Sequence, residues 1–227
     1  MCVYEIGNLK VVDLSKALDP ASETRRCNLF RFNTGGPIPD FHTIMDITSH
    51  LGTHVECPYH HHDDWPDATS LPLTSYMGRA QYVNFSEADP NSYITPKMLD
   101  DTLSKRLLEN DIVILDSPFK IQPFTSLTNT EADKRMFING ETAQWMVNHH
   151  VKGVGFGDGV SIENRNEDVK PFHDICMAEN IVFLEVLENL EYLQTDTFFI
   201  SFAPLPIKGI DACPVRAYAI EGLIEFQ

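Results

Sequence analysis

The chain has 227 residues, of which 43% are hydrophobic and 22% charged, and it carries a formal charge of −16. That apolar share supports a packed core and argues against general disorder, while the negative charge repels phosphate backbones and anionic membrane surfaces. Nucleic acid and membrane partners are therefore set aside, and one domain spanning residues 1–227 is expected.

The N-terminal stretch MCVYEIGNLKVVDLSKAL has no cationic head followed by a long apolar run, and no later window suits a membrane span. A cytoplasmic location is expected. Cys2, Cys27, Cys57, Cys176 and Cys213 are odd in number with no close pair, which predicts reduced thiols rather than a disulfide framework or a zinc knuckle.

In chain order, Lys10 to Leu14 is the first strand-like run, rich in β-branched residues and bounded by turn formers. The histidine-rich stretch from Ser49 to Asp67 follows, then a strand over Ala80 to Phe85. Thr95 caps a predicted helix with Pro96 at its first position, running through Met98, Leu99, Leu103 and Leu107. Asp111 to Leu115 reads as a strand, and Asp116 to Asp133 as a long surface loop. A helix over Glu141 to Val147, a strand over Val151 to Phe156 and a helix over Pro171 to Glu179 come next. Strands over Ile181 to Leu187 and Phe198 to Ala203 complete the series, which predicts a mixed β/α fold with a sizeable sheet core.

The stretch SHLGTHVECPYHHHDDWPD raises the question of a metal site, because a divalent ion needs imidazole nitrogens and carboxylate oxygens converging at about 2.0–2.2 Å. Gly52, Thr53, Val55 and Pro58 all disfavour a helix here. On a straight strand His54 and Glu56 share a face, yet His50 lies about 13 Å from His54 at roughly 3.3 Å per residue. A bend at Leu51-Gly52-Thr53 removes that difficulty, since glycine permits unusual backbone angles and leaves free the space an ion would need. The expected motif is a kinked strand presenting His50, His54 and Glu56, with Pro58 turning the chain so that His60 overhangs them. Any one of these histidines alone reads as an ordinary loop residue; the set of three with a glycine in the gap favours metal. His61, His62, Asp63 and Asp64 read as a solvated rim, and His42 has no assigned role.

Glu185 interrupts the apolar run Ile181-Val182-Phe183-Leu184 and Val186-Leu187, where a carboxylate is costly unless paired, protonated or bound to a cation. An outward-facing Glu185 is the simpler account, but apolar residues at both i−2 and i+2 oppose it. His173 precedes the run by one short helix and pairs with Glu185 as a second candidate ligand set.

These residues also carry a family resemblance. HLGTHVECPYH resembles the HxGTHxDxPxH signature of the cyclase and kynurenine formamidase family of metal-dependent hydrolases, which includes bacterial arylformamidases and isatin hydrolases. ETAQWM, GDGVSIE, PFHDICMAENIVFLEVLENL and APLPIKGIDACPVRAYAI resemble later segments of the family, in the right order and over nearly the whole chain. The resemblance implies a swivelling β/β/α domain, usually a homodimer with loops of both subunits near the pocket. It places His50, His54 and Glu56 as ligands of one divalent ion, Zn²⁺ or Mn²⁺, with Glu56 where the family usually has a bridging Asp. His173 and Glu185 match the ligands of a second ion in members that hold two, and His60 matches the base and acid. The extra methylene of Glu56 puts the count of ions, one or two per chain, in question.

The activity implied is hydrolysis of a small amide, formamide, lactam or lactone, with His60 moving the proton. Phe30, Phe41 and Trp65 are candidate pocket aromatics, and the segments Cys27 to Pro39 and Phe119 to Met136 are candidate pocket loops. Two other readings stand beside it: Cys57 as a nucleophile with a nearby histidine, and a metal-dependent small-molecule binding or sensor protein on the same fold.

Overall fold

The computed structural model describes residues 2–38, 40–163 and 166–223; Pro39, the far end of one expected pocket loop, lies outside them. Among these residues the strands are β1 (Val3–Ile6), β2 (Leu9–Asp13), β3 (Cys27–Asn33), β4 (Phe41–Ile47), β5 (His54–Glu56), β6 (Met77–Asn84), β7 (Ile112–Asp116), β8 (Met136–Phe137), β9 (Gly153–Gly157), β10 (Val160–Ser161), β11 (Val182–Leu187), β12 (Thr197–Ser201), β13 (Ala212–Pro214) and β14 (Tyr218–Glu221). The helices are α1 (Pro96–Leu103), α2 (Gly140–Asn148) and α3 (Asn166–Ala178).

Ten strands form one mixed sheet in the order β1-β2-β14-β12-β6-β7-β9-β11-β5-β13. Its centre, β6-β7-β9-β11, is parallel, and the strands on either side of that centre pair antiparallel. Parallel centres are covered on both faces and read as continuous apolar runs, as they do here. Val113, Leu115, Val154, Phe156 and Phe183 pack with Phe172, Met146 and Leu99 of the helices. Ile112, Ile114, Val182 and Leu184 face the other way and meet Val12, Val55, Phe198 and Phe202. The sheet curls on itself there: Ser15 bridges Leu187, and the Glu188 amide donates to the Leu14 carbonyl at 3.0 Å.

The six expected strands all form, with ends shifted by a few residues. Thr95 caps α1 as expected, its side chain accepting from the Met98 amide, but the helix ends at Leu103. Leu107 lies in a turn pinned by Asp111, which accepts from the Leu108 amide at 2.9 Å. Helix α3 begins five residues before the expected Pro171 and keeps that proline inside it. The missing amide costs one hydrogen bond, which burial of Phe172, Cys176 and Met177 beyond it offsets. Residues expected to form a loop from Cys27 instead form the β3/β4 hairpin. Its apolar residues lie on both faces, Leu29 opposite Met45 and Phe30 opposite Ile44, so the alternation that marks a half-buried strand is missing. No helix among the described residues is long and apolar enough to cross a membrane, and all five cysteines are free thiols.

Candidate metal centre

Strand β5 is three residues long and lies between β11 and β13. Register sets its side chains: His54 is opposite Glu185, and Glu56 is opposite Phe183. Paired residues in an antiparallel ladder share a face, so His54, Glu56 and Glu185 all point to the helix-covered side of the sheet. Helix α3 crosses that side and brings His173 down, its ring 4.8 Å from Phe183. The bend expected before β5 is present, with Gly52 at φ +57°. Its reason differs from the expected one: a Cβ on Gly52 would sit 2.6 Å from Leu18 Cδ2, so the crowding comes from the packed chain and not from the space beside the histidines.

A second distortion lies across from the bend. Val186 has φ +59°, a conformation that β-branched residues rarely adopt, and β11 is bulged between Leu184 and Leu187. Thr53 Oγ1 donates to the Val186 carbonyl at 2.6 Å, so the motif's threonine holds the bulge next to Glu185. Strain of this kind persists only where surrounding contacts fix it.

The side chains converge tightly. Glu56 Oε1 lies 2.7 Å from His50 Nδ1, 3.5 Å from His54 Nε2 and 3.9 Å from His60 Nε2. The other oxygen, Oε2, lies 3.5 Å from His173 Nε2. Glu185 is 3.4 Å from His54 Nε2 and 3.8 Å from His173 Nε2. Two groups that share Glu56 result, His50-His54-Glu56 and Glu56-His173-Glu185, each with its ligand-type atoms within 4.8 Å of one another; a third, His50-His60-Asp211, meets the same limit without Glu56. The longer side chain thus still reaches both groups.

Each imidazole is oriented by its other nitrogen. His54 Nδ1 lies 2.8 Å from the Gly52 carbonyl and His173 Nδ1 lies 2.8 Å from the Val169 carbonyl, which makes each Nδ1 the donor and turns Nε2 inward toward the carboxylates. His54 Nε2 and Glu56 Oε2 are buried without a hydrogen-bond partner. Orphaned atoms of this kind, in a set of imidazole nitrogens and carboxylate oxygens without thiolate, are what a divalent cation would satisfy.

The charges are interdependent. Burial lowers the His50 imidazole, but hydrogen bonding and charge from Glu56 and then Asp211 outweigh it and bring its pKa up to about 9. His173 is likewise opposed by burial and raised by Glu185 and Glu56 to about 10. Burial favours a protonated Glu56, yet its hydrogen bonds to His173, His50 and His54 hold it well below the usual carboxylate range. Burial, followed by the Glu56 charge, pushes Glu185 up.

His60 stands over this cluster as expected. Pro58 starts a short 3-10 turn ending at His60, whose ring centroid is 4.5 Å from that of His50. Burial lowers its pKa. Its Nδ1 faces Asp211 Oδ2 at 3.4 Å, and the same oxygen lies 2.8 Å from His50 Nε2. Asp211 carries no signal in the sequence that marks it for the site. It precedes β13 in an irregular stretch with no periodicity, and only the pairing of Ala212 with Glu56 brings it to the site.

Other expectations sort out differently. His61 belongs to the cavity and not to a solvated rim: it stacks on His173 at 4.9 Å and bonds Asp174 at 2.7 Å. His62, Asp63 and Asp64 are exposed as expected. His42 is exposed beside Asp40 on the hairpin. Phe30 and Phe41 are more than half exposed on the hairpin, and Trp65 packs against the helix-side core; none lines the cavity. Its aromatic wall is Phe124, from the second expected loop. Cys57 points away from Glu56 into the other core, 3.5 Å from Tyr76 Oη, and burial pushes its thiol up to about 11. A thiol held in that state is no nucleophile. The cavity over the cluster measures about 930 Å³ and is bounded by Arg25, Thr48, His60, His61, Phe124 and Lys170, with the cluster at its base.

A mixed, helix-covered sheet thus carries a buried imidazole and carboxylate cluster, of the donor types that hold a divalent metal, below an open cavity. The family model described as Putative cyclase matches residues 12–164. The chain belongs to that family, the cyclase and kynurenine formamidase family of metal-dependent hydrolases. It is 28% identical over 176 residues to a kynurenine formamidase of Salinibacter ruber, covering 76% of each chain. Among solved structures it resembles an isatin hydrolase bound to the product analogue thioisatinate, with TM-score 0.75 at 18% identity, covering 96% of this chain and 94% of that one. It also resembles a potential metal-dependent hydrolase with cyclase activity, with TM-score 0.69 at 19% identity, covering 95% and 99%.

Proposed function

We propose that the chain, acting as one domain, hydrolyses a small amide such as an aryl formamide or lactam, or a lactone, at a centre holding one or two Zn²⁺ or Mn²⁺ ions. The observation that carries this reading is Glu56, whose two oxygens face His50 and His54 on one side and His173 on the other. His50, His54 and Glu56 would hold one ion, and Glu56, His173 and Glu185 a second. When bound, such a cation supplies Lewis acidity, lowering the pKa of a water and polarising the scissile carbonyl.

The chain's own residues supply the proton path. His60, whose pKa burial lowers, accepts the proton of the attacking water at Nε2, which faces the cluster, while its Nδ1 faces Asp211. As the C–N bond breaks, the same nitrogen returns the proton to the leaving amine. Asp211 also orients His50 through its Nε2, so one carboxylate aligns a ligand and the base. The Phe124 ring on the cavity wall would give a flat substrate a surface to lie against.

The two-faced apolar hairpin supports a homodimer, the assembly in which Phe30, Ile44 and Met45 would be covered. A cytoplasmic location is part of the proposal, in keeping with the five free thiols. The metal-loaded protein is tested on aryl formamides, lactams and lactones, with His60→Ala alongside. Turnover that falls by roughly 10²–10⁴-fold in the variant, with metal retained, supports the mechanism. Inactivity of the loaded wild-type protein on the whole panel would favour a binding or sensor protein.

A further inference from the structure

Acidic residues outnumber basic ones 33 to 17, and the cations around the cavity reflect that excess. Arg26 is held by Asp46 at 2.9 Å, and Lys170 by Asp174. Arg25 differs. It has no carboxylate partner among the described residues, although it lines the cavity and is half-buried. Its guanidinium carbon lies 3.7 Å from the centroid of the Phe124 ring, and Nη1 donates to the His50 carbonyl. A guanidinium presents five N–H donors in a planar fork, so the edge not spent on His50 remains available to a ligand.

Phe124 is itself unusual. It has φ +59°, a conformation that costs free energy for a bulky side chain. The ring so placed fixes the plane of Arg25 against the loop that carries His50. Two loops far apart in sequence therefore meet at one cation beside the candidate ligands.

We propose that Arg25 is a specificity-determining residue and that the substrate carries a carboxylate, bound by the free edge of Arg25 while the scissile carbonyl points to the cluster. This deepens the hydrolase reading and rests on it for the scissile group. Arg25 at the cavity wall accepts an anion without displacing a protein acid. Arg26 and Lys170 would have to give up Asp46 and Asp174 to do the same. Planar bidentate recognition of a carboxylate is the chemistry for which arginine is suited and lysine is not.

The test compares N-formylanthranilate, which bears a carboxylate beside its formamide, with formanilide, which does not. Both are assayed on the metal-loaded wild type, Arg25→Met and Arg25→Lys, with metal content checked in each. The ratio of kcat/KM for the carboxylated over the neutral substrate is expected to fall ~10- to 100-fold in Arg25→Met, chiefly through KM. Arg25→Lys recovers part of that ratio. An equal loss on both substrates, or none, overturns the proposal and makes Arg25 a brace for the His50 loop. Calorimetric binding of anthranilate against aniline separates the two readings. If neither formamide is turned over but Arg25→Met still weakens anthranilate selectively, the hydrolase reading fails and the Arg25 assignment stands. If anthranilate binds both proteins alike, the assignment fails.

Discussion

Strand β11 and the β3/β4 hairpin are similarly rich in large apolar residues, yet the first is buried along its whole length and the second is exposed along most of its own. The difference lies in neighbours. β11 has a strand on each side and a core on each face, whereas the hairpin has a single partner strand and leaves Phe30 56% and Met45 63% exposed. In the buried strand an apolar side chain holds the fold together, and a charged one, Glu185, has to be matched by other groups. On the hairpin the same kinds of side chain are left largely uncovered and contribute little to the fold of one chain.

The sharpest way to break this contrast is truncation. Leu184→Ala should cost about 2–5 kcal/mol in denaturant unfolding, since it opens a cavity in a closed core. Leu29→Ala on the hairpin should cost under about 0.5 kcal/mol of chain stability and appear instead as weaker self-association. Comparable losses at both positions would show that the hairpin is part of the core.

Next in size is the bend. Gly52→Ala places a Cβ at φ +57° and against Leu18, and a loss of about 1–3 kcal/mol is expected. Because His50 precedes the bend, its metal content should fall with it. A variant of full stability would mean that the loop relaxes freely.

Hairpin charges come third. Phe30→Glu with Ile44→Lys should convert a dimer to monomers in light scattering, with the melting temperature of the remaining chain little changed. An unaltered mass would place the assembly surface elsewhere.

The last comparison is in pH. In the metal-free protein His50 and His173 have pKa values raised to about 9 and about 10 by carboxylates. Groups raised in the folded state contribute their full stability below the ordinary histidine value near 6.5 and lose it as pH rises through the folded values. Melting temperature of the metal-free form should therefore fall between about pH 6.5 and 10. The metal-loaded form should show no such fall, because a cation takes the place of those protons, and its affinity should rise over the same window. A flat profile for the metal-free form would mean that the imidazoles are neutral without metal.

Much of this was legible in the sequence, for a physical reason in each case. The parallel centre is buried on both faces, so its strands are unbroken apolar runs that need no partner to be recognised. Glu185 stood out for the same reason: a lone acid in such a run has no solvent to turn to. The kink was readable because glycine sat where a straight strand would have separated His50 from His54. What stayed hidden depended on contacts across the chain. The hairpin lacks a buried face and hence a period. Asp211 reaches the site through a strand pairing 155 residues away from Glu56, and Arg25 and Phe124 meet only because two loops fold over the cavity. Proline within α3 misled because it marks a helix start more often than a helix interior.

The most direct test of the central claim is elemental analysis of protein purified without chelator or affinity tag, for wild type, Glu185→Ala and Glu56→Ala. Because Glu56 belongs to both groups and Glu185 to one, the wild type should hold close to two divalent ions per chain, Glu185→Ala about one, and Glu56→Ala the least. A wild type that purifies and reconstitutes without metal, or a Glu56→Ala variant that keeps as much as the wild type, would contradict the account.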